Sequence, residues 1–159
     1  IKLAHRKEFI HTFQIGKEQL AIFLITIFFT LYEDLLVGIA AGIVLKIIIH
    51  LFRGLPVSAM FKAPTQVSFN DNEYLVEIDK AAVFTNFLGI KDKLAEIPGG
   101  HNVTIDLQKT KLVDHSVMES LHLFQHDYET TGGKVSIVGL EEHEPVSEHN
   151  LAARTKKVN

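Results

Sequence analysis

LAIFLITIFFTLY, at positions 20–32, and LLVGIAAGIVLKIIIHLF, at positions 35–52, decide the fold of this 159-residue chain. The first stretch carries no charge, and Lys46 is the only formal charge in the second. A helix that crosses a bilayer needs about 20 apolar residues. The second stretch nearly reaches this length, and the first does so if the helix begins near Gly16. The pattern predicts a transmembrane helical hairpin over residues 16–53.

The alternative interpretation is a pair of buried helices in a water-soluble protein. Such a protein would need to cover both helices with the 107 residues after Phe52. Those residues are mostly amphipathic and do not easily supply that much apolar surface. The length of the two apolar stretches therefore favours the membrane.

Basic residues set the expected orientation of the hairpin. Four precede the first apolar stretch and two follow the second: Lys2, Arg6, Lys7, Lys17, Arg53 and Lys62. The connection between the stretches, Glu33-Asp34, has no basic residue. Since Lys and Arg concentrate on the cytoplasmic side, both ends of the hairpin are predicted inside the cell and the turn outside.

Three further features belong to the membrane half. Gly38 and Gly42 form a G-x-x-x-G pattern, which is typical of closely packed helices. Lys46 lies about two turns from Arg53, so its ammonium can extend to the cytoplasmic interface; the alternative is an intramembrane charge on an ion path. Residues 1–15 are predicted as an amphipathic helix in the headgroup layer, or a soluble linker helix.

Composition excludes several classes of protein. Residues 53–159 have eleven Lys/Arg and fifteen Asp/Glu, and a net charge of −4 argues against binding to nucleic acid. The absence of cysteine excludes disulfides and thiolate metal sites.

The chain begins with Ile, and IKLAHRKEFIHTF lacks a signal peptide's pattern. We therefore expect a piece of a longer protein, with a trimmed but complete small protein as the alternative.

After a linker at residues 54–64, the periodicity changes to that of a soluble α/β domain over residues 65–159. Strands are predicted at 66–69, at 74–78 (with an extension to 84 as the alternative), at 103–107 and at 135–140. Helices are predicted from a cap at Asn86 or Thr85 to Ile97, and from a cap at Asp114 to Tyr128. The order β-β-α-β-α-β predicts a mixed sheet with helices on one face. The polar tail has a candidate short helix at 151–153.

Three stretches resemble the SulP (sulfate permease) family. EFIHTFQIGKEQLAIFLITIFFTLYEDLLVGIAAGIVL, at 8–45, is similar to its last two membrane helices and their lead-in. VTIDLQKTKLVDHSVMESLHLF, at 103–124, resembles the strand–loop–helix centre of a STAS domain, the module shared with anti-sigma-factor antagonists. SEHNLAAR, at 147–154, resembles the ending of bacterial members.

The resemblance implies the C-terminal part of a secondary active transporter of small inorganic anions such as sulfate or bicarbonate. It implies a multi-pass protein of the cell (inner) membrane with a cytoplasmic STAS domain that regulates or dimerises the transporter. The implied partners are the lipid bilayer, the remaining membrane helices, a second copy and the anion. In this family the anion lies between two half-helices that precede this segment, near the bilayer midplane. No enzyme activity and no cofactor are expected.

Few residues of the α/β half suggest chemistry. Ser116, in Asp114-His115-Ser116-Val117, aligns with the residue phosphorylated in anti-sigma-factor antagonists. Two departures from that pattern favour an ordinary first-turn serine: His115 replaces a small hydroxyl residue and Val117 replaces Gly. Asp106 and Asp114 could be read as paired carboxylates, but a strand position and a helix cap explain them.

A polar stripe along the second predicted helix is a weak candidate metal site. It comprises His115, Glu119, His122 and His126. His122 and His126 lie one turn apart and could share a zinc or nickel ion beside Glu119, or sense pH. A solvated helix face is the simpler interpretation.

The sequence leaves two other hypotheses open. One is a membrane-tethered STAS regulatory protein without transport activity, and the other is a metal-dependent enzyme that uses the histidine stripe. The reading frame upstream of Ile1 discriminates the first from the transporter. A zinc titration tests the second.

Overall fold

The computed structural model describes Thr12 and residues 14–156, which form two compact units. A helical unit contains the described residues up to Leu55 together with Ser147–Ala152. An α/β unit contains Pro56–Val146 and residues 153–156. The predicted amphipathic lead-in at residues 1–15 falls almost entirely outside the described residues.

The helical unit is built on α1 (Lys17–Tyr32) and α2 (Leu35–Phe52). Glu33 ends α1 by donating its N–H to the carbonyl of Phe29 at 2.9 Å. Asp34 starts α2, because its side chain accepts the N–H of Val37 at 2.9 Å, the usual bond of an N-cap. Only these two residues separate the helices, so α1 and α2 pack as antiparallel neighbours.

The α/β unit alternates short helices with two small sheets. In chain order its elements are α3 (Val57–Phe61), β1 (Thr65–Asn70), β2 (Glu73–Ile78), β3 (Lys80–Ala82), α4 (Phe87–Ala95), β4 (Asn102–Asp106), β5 (Thr110–Val113), α5 (His115–Glu129), β6 (Lys134–Val138), β7 (His143–Pro145) and β8 (Arg154–Lys156).

The first sheet has the order β1-β2-β4-β6. β1 and β2 form an antiparallel hairpin, whereas β2, β4 and β6 run parallel. Asp71 and Asn72 form its two-residue turn with φ of 50° and 66°, which identifies the left-handed turn that suits a right-handed strand twist. The predicted mixed sheet is confirmed.

One face of this sheet carries the hydrophobic core. Val76, Ile105 and Ile137 lie side by side across β2, β4 and β6, and neighbouring strand residues point to the opposite face. Apolar residues of α4 and α5 join them in one cluster, which includes Ile90, Leu94, Val117, Met118 and Leu121. Burial of a Leu or Ile side chain contributes about 1.5–3 kcal/mol, so this face holds α4 and α5 in place.

The second sheet, in the order β3-β5-β8-β7, was missed by the sequence analysis. The predicted second strand does not continue toward residue 84. Lys80 has φ of 66°, and β3 pairs with β5 instead of the first sheet. The left-handed residue turns the chain from one sheet into the other.

Other local predictions need correction. The segment assigned to a linker contains α3, because Ala59 and Met60 are buried. The candidate tail helix at 151–153 is wrong, since those residues lead into β8, which pairs with β5 and β7. The helix predicted to reach Ile97 ends at Ala95, and the strand predicted to end at Leu140 ends at Val138.

Candidate functional sites

The inner face of the hairpin consists of a stripe at every fourth residue of α2. Its members are the buried residues of that helix, Gly38, Gly42, Lys46 and His50. A side chain at Gly38 would lie 2.7 Å from the backbone oxygen of Thr26 and 2.8 Å from the backbone nitrogen of Thr30. Gly42 instead faces the side chains of Thr26 and Ile22. The two glycines therefore permit close approach of the helix backbones.

Lys46 does not lie along the outside of the hairpin. Its exposed fraction is 8%, and that of His50 is 4%. A spacing of four residues from Gly42 places Lys46 on the face toward α1. That its ammonium extends to the cytoplasmic interface stays a prediction.

An ion pair closes the end of the hairpin opposite the turn. The guanidinium of Arg53, after the end of α2, donates to the carboxylate of Glu18 in the first turn of α1. This contact was not predicted, since the two residues are 35 positions apart. At the same end, Ser147 donates its hydroxyl to the carbonyl oxygen of Ile15.

The outer face of the hairpin is apolar and exposed. Its large exposed side chains include Leu24, Phe28, Leu31, Leu36, Ile39, Ile43, Val44 and Phe52. Among the described residues, one helix satisfies by itself the length and composition of a membrane span, namely α2 with 18 residues. α1 has 16 residues.

In the α/β unit, Asp114 joins two segments that are distant in sequence. Its side chain is 1% exposed. One carboxylate oxygen accepts the N–H of Val117 at 2.9 Å, which caps α5 as predicted. The other accepts the N–H of Phe84 at 2.8 Å, between β3 and α4.

Asn86 performs a similar role, but not the predicted one. Its side chain makes no capping bond to α4. It accepts from the N–H of Val83 at 3.0 Å and donates to the carbonyls of Ala59 and Ala81 at 2.8 and 2.9 Å. Asn86 thereby holds α3 beside β3. A single amide that satisfies three backbone groups leaves no periodic pattern in a sequence.

Ser116 is the second residue of α5 and is partly buried. Its carbonyl accepts the hydroxyl of Ser120 at 2.7 Å, as in an ordinary helical turn. The ordinary first-turn serine that the sequence favours, and phosphorylation as its alternative, both stay predictions.

The histidine stripe of α5 is not uniform. Glu119, His122 and His126 are exposed, whereas the side chain of His115 is only 12% exposed and lies 3.9 Å from the carboxylate of Glu119. Within the described part of the chain, no group of three or more His, Asp or Glu side chains is arranged to hold a metal.

Asp106 and Asp114 each have backbone partners. Asp106 accepts the N–H of Gln108 at 2.7 Å and so shapes the turn after β4. The interpretation as a strand-end residue and a helix cap accounts for these bonds.

Two surface ion pairs shift the pKa of one of their members. The pKa of Lys109 is raised, first by its hydrogen bond to Glu77 at 2.9 Å and then by the charges of Glu77 and Asp79. The pKa of Glu142 is lowered, first by its hydrogen bond to Lys156 and then by the charge of that lysine. Both pairs are solvated, so their contribution to stability is small.

Comparison with known proteins finds remote structural similarities. No protein-family model and no curated protein sequence matches the chain significantly. The solved structures with similarity include an anti-sigma-factor antagonist STAS domain from Rhodobacter sphaeroides, with 19% identity, a TM-score of 0.40, and coverage of 57% of this chain and 98% of that one.

They also include the murine solute carrier 26 family member A9 anion transporter in its inward-facing state, with 14% identity and a TM-score of 0.39. That match covers 86% of this chain and 24% of the transporter. The protein Mglu matches at 11% identity and a TM-score of 0.45, over 63% of this chain and 26% of Mglu. The chain thus spans about a quarter of these two proteins.

Proposed function

We propose that this chain is the C-terminal part of a secondary active transporter of small inorganic anions, of the sulfate or bicarbonate class. Its α/β unit is then a STAS domain that regulates or dimerises the transporter. One observation carries the proposal: the α1–α2 hairpin is apolar on its outside and lined inside by Gly, Thr and ionisable residues.

The exposed apolar surface favours a bilayer around the hairpin. Only four of the 18 residues of α2 are buried. Soluble proteins rarely leave continuous apolar surfaces of this kind in water. In lipid, by contrast, helices associate through small residues and close backbone contact, as Gly38 and Gly42 provide.

The lengths of the helices fit this environment. At 1.5 Å per residue, α2 is about 27 Å long and α1 about 24 Å. The hydrocarbon core is about 30 Å thick, and short spans are accommodated by local thinning. Phe28 and Tyr32 stack with ring centroids 6.1 Å apart near the turn, where aromatic side chains favour the membrane interface.

The distribution of charge supports a multi-pass orientation with the turn outside and the STAS domain in the cytoplasm. Glu33 and Asp34 occupy the turn, and Lys17 and Arg53 lie at the opposite end. The lipid bilayer and the remaining membrane helices of the transporter are the partners of the hairpin. The groups that bind the anion lie outside this chain, which acts as a transport protein and not as an enzyme.

The test is anion uptake by proteoliposomes that contain the product of the whole reading frame in which this chain lies. We expect labelled sulfate or bicarbonate to accumulate above protein-free vesicles, and excess unlabelled anion of the same kind to compete. The matched control replaces Gly38 by Leu in the same protein, which should lower uptake because the hairpin no longer packs. A folded, reconstituted product that takes up neither anion would contradict the proposal and favour a membrane-tethered STAS regulator.

A further inference from the structure

We propose that the free edge of β1 pairs with β1 of a second copy, which joins two α/β units through one continuous sheet. The proposal identifies the surface through which the α/β unit would dimerise, and to that extent it rests on the proposed function. It does not require transport activity.

The backbone of β1 has donors and acceptors that β2 does not use. Asp79 donates its N–H to the carbonyl of Pro64 at 2.9 Å, so this pair is hydrogen-bonded in the register of β1 and β2. Hydrogen-bonded pairs alternate along an antiparallel ladder. The N–H and C=O groups of Thr65, Val67 and Phe69 therefore point away from β2. In the described sheet β1 has no other neighbour.

The side chains of the same residues are unusually apolar for a free edge. Val67 is opposite Val76 and Phe69 opposite Tyr74, so both lie on the helix-bearing face. They are nevertheless 37% and 50% exposed. The strand TQVSFN has no charged residue. Soluble proteins usually protect such edges with Lys, Pro or a bulge, and an unprotected edge is a template for another strand.

β1 is complementary to itself when paired antiparallel. A two-fold axis at Val67 places Val67 opposite its own copy and Thr65 opposite Phe69 of the second copy, so the outward-pointing groups meet in register. Lys62, exposed before β1, then lies beside the second copy's turn at Asp71, and the opposite charges meet at both ends. Leu88, which is 70% exposed and lines a shallow cavity with Thr65, adds apolar area near the axis.

Cysteine cross-linking of the full chain in mild detergent tests the register, since the chain has no native cysteine. Residues of a hydrogen-bonded antiparallel pair have Cα atoms about 5.5 Å apart, within the range of a disulfide. Val67→Cys should therefore form a covalent dimer on mild oxidation. Thr65→Cys should not, because the two copies of residue 65 would be about 14 Å apart. A mixture of Thr65→Cys and Phe69→Cys chains should cross-link.

Two substitutions at Val67 test the contact at the axis, with the mixed Thr65→Cys and Phe69→Cys sample as the readout. When both chains also carry Val67→Pro, cross-linking should fall about tenfold, because proline removes an outward N–H that β2 does not use. Val67→Lys should do the same through like charges at the axis. Circular dichroism checks that both variants keep the fold, and Lys134→Cys, on the far edge strand β6, is the control for random collision.

The results separate the alternatives. Cross-linking at Val67→Cys and in the mixed sample, but not at Thr65→Cys alone, supports the proposal. Equal cross-linking at Thr65→Cys or Lys134→Cys overturns it. Protection of Val67→Cys from a maleimide without a covalent dimer also overturns it, because another segment or protein then covers the edge. None of these outcomes depends on anion uptake, so the transport proposal can fail separately.

Discussion

Replacing Gly38 by leucine is expected to separate α1 from α2. A side chain at this position collides with backbone atoms of Thr26 and Thr30, which cannot rotate away. Overpacking of this kind costs about 1–3 kcal/mol or more when backbone must move. The measurement is the loss of helical circular dichroism as SDS is titrated into the chain in mild detergent, with Ala40→Leu as the matched control because Ala40 is exposed on the same helix.

Alanine substitutions distinguish the two glycines further. The nearest atom to a side chain at Gly42 is the hydroxyl of Thr26. We therefore expect Thr26→Ala to relieve the defect of Gly42→Ala, whereas Thr30→Ala should not relieve Gly38→Ala because backbone contacts remain. Equal stability of Gly38→Leu and Ala40→Leu would mean that these glycines do not set the packing of the hairpin.

The second large effect is expected at Asp114. Asp114→Ala removes a buried carboxylate and leaves the N–H groups of Phe84 and Val117 without this acceptor. Hydrogen bonds to charged groups contribute about 1.5–3 kcal/mol each, so the loss of two should be about 3–6 kcal/mol. Hydrogen exchange measured by mass spectrometry should accelerate both at the start of α5 and at residues 83–86.

Asp127→Ala is the control for Asp114→Ala, since Asp127 is exposed on the same helix. Asp114→Asn keeps one acceptor oxygen and should fall between the two variants. If exchange accelerated only at the start of α5, the carboxylate would act as a simple helix cap and the contact to Phe84 would contribute little.

The elements that the sequence predicted are those with a long or regular pattern. Each of them repeats one pattern of apolar residues over many positions, which identifies the type of element. The patterns are the apolar run of α2, the alternation in β1 and β2, and the four-residue spacing in α5. The strands β3, β7 and β8 have three residues each, too few for a periodicity. They form because tertiary pairing supplies partners that local sequence does not specify.

The residues of the candidate sites likewise divide into those that the sequence predicted and those that it did not. Gly38, Gly42 and the Asp114 cap were predictable because their spacing within one helix has physical meaning. Their partners Thr26, Thr30 and Phe84 were not, since they come from other segments of the chain. The face of α2 that carries Lys46 was not predicted, because composition gives the depth of a residue along the helix but not the face that a neighbouring helix covers.

The proposed two crossings of the membrane are tested most directly by labelling single cysteines in intact cells with a membrane-impermeant maleimide. The account predicts that Glu33→Cys, in the exposed turn, reacts from outside, and that Lys134→Cys, in the α/β unit, reacts only after the cells are permeabilised. Reaction of both cysteines from the same side, whether before or after permeabilisation, would contradict a hairpin that crosses the bilayer twice.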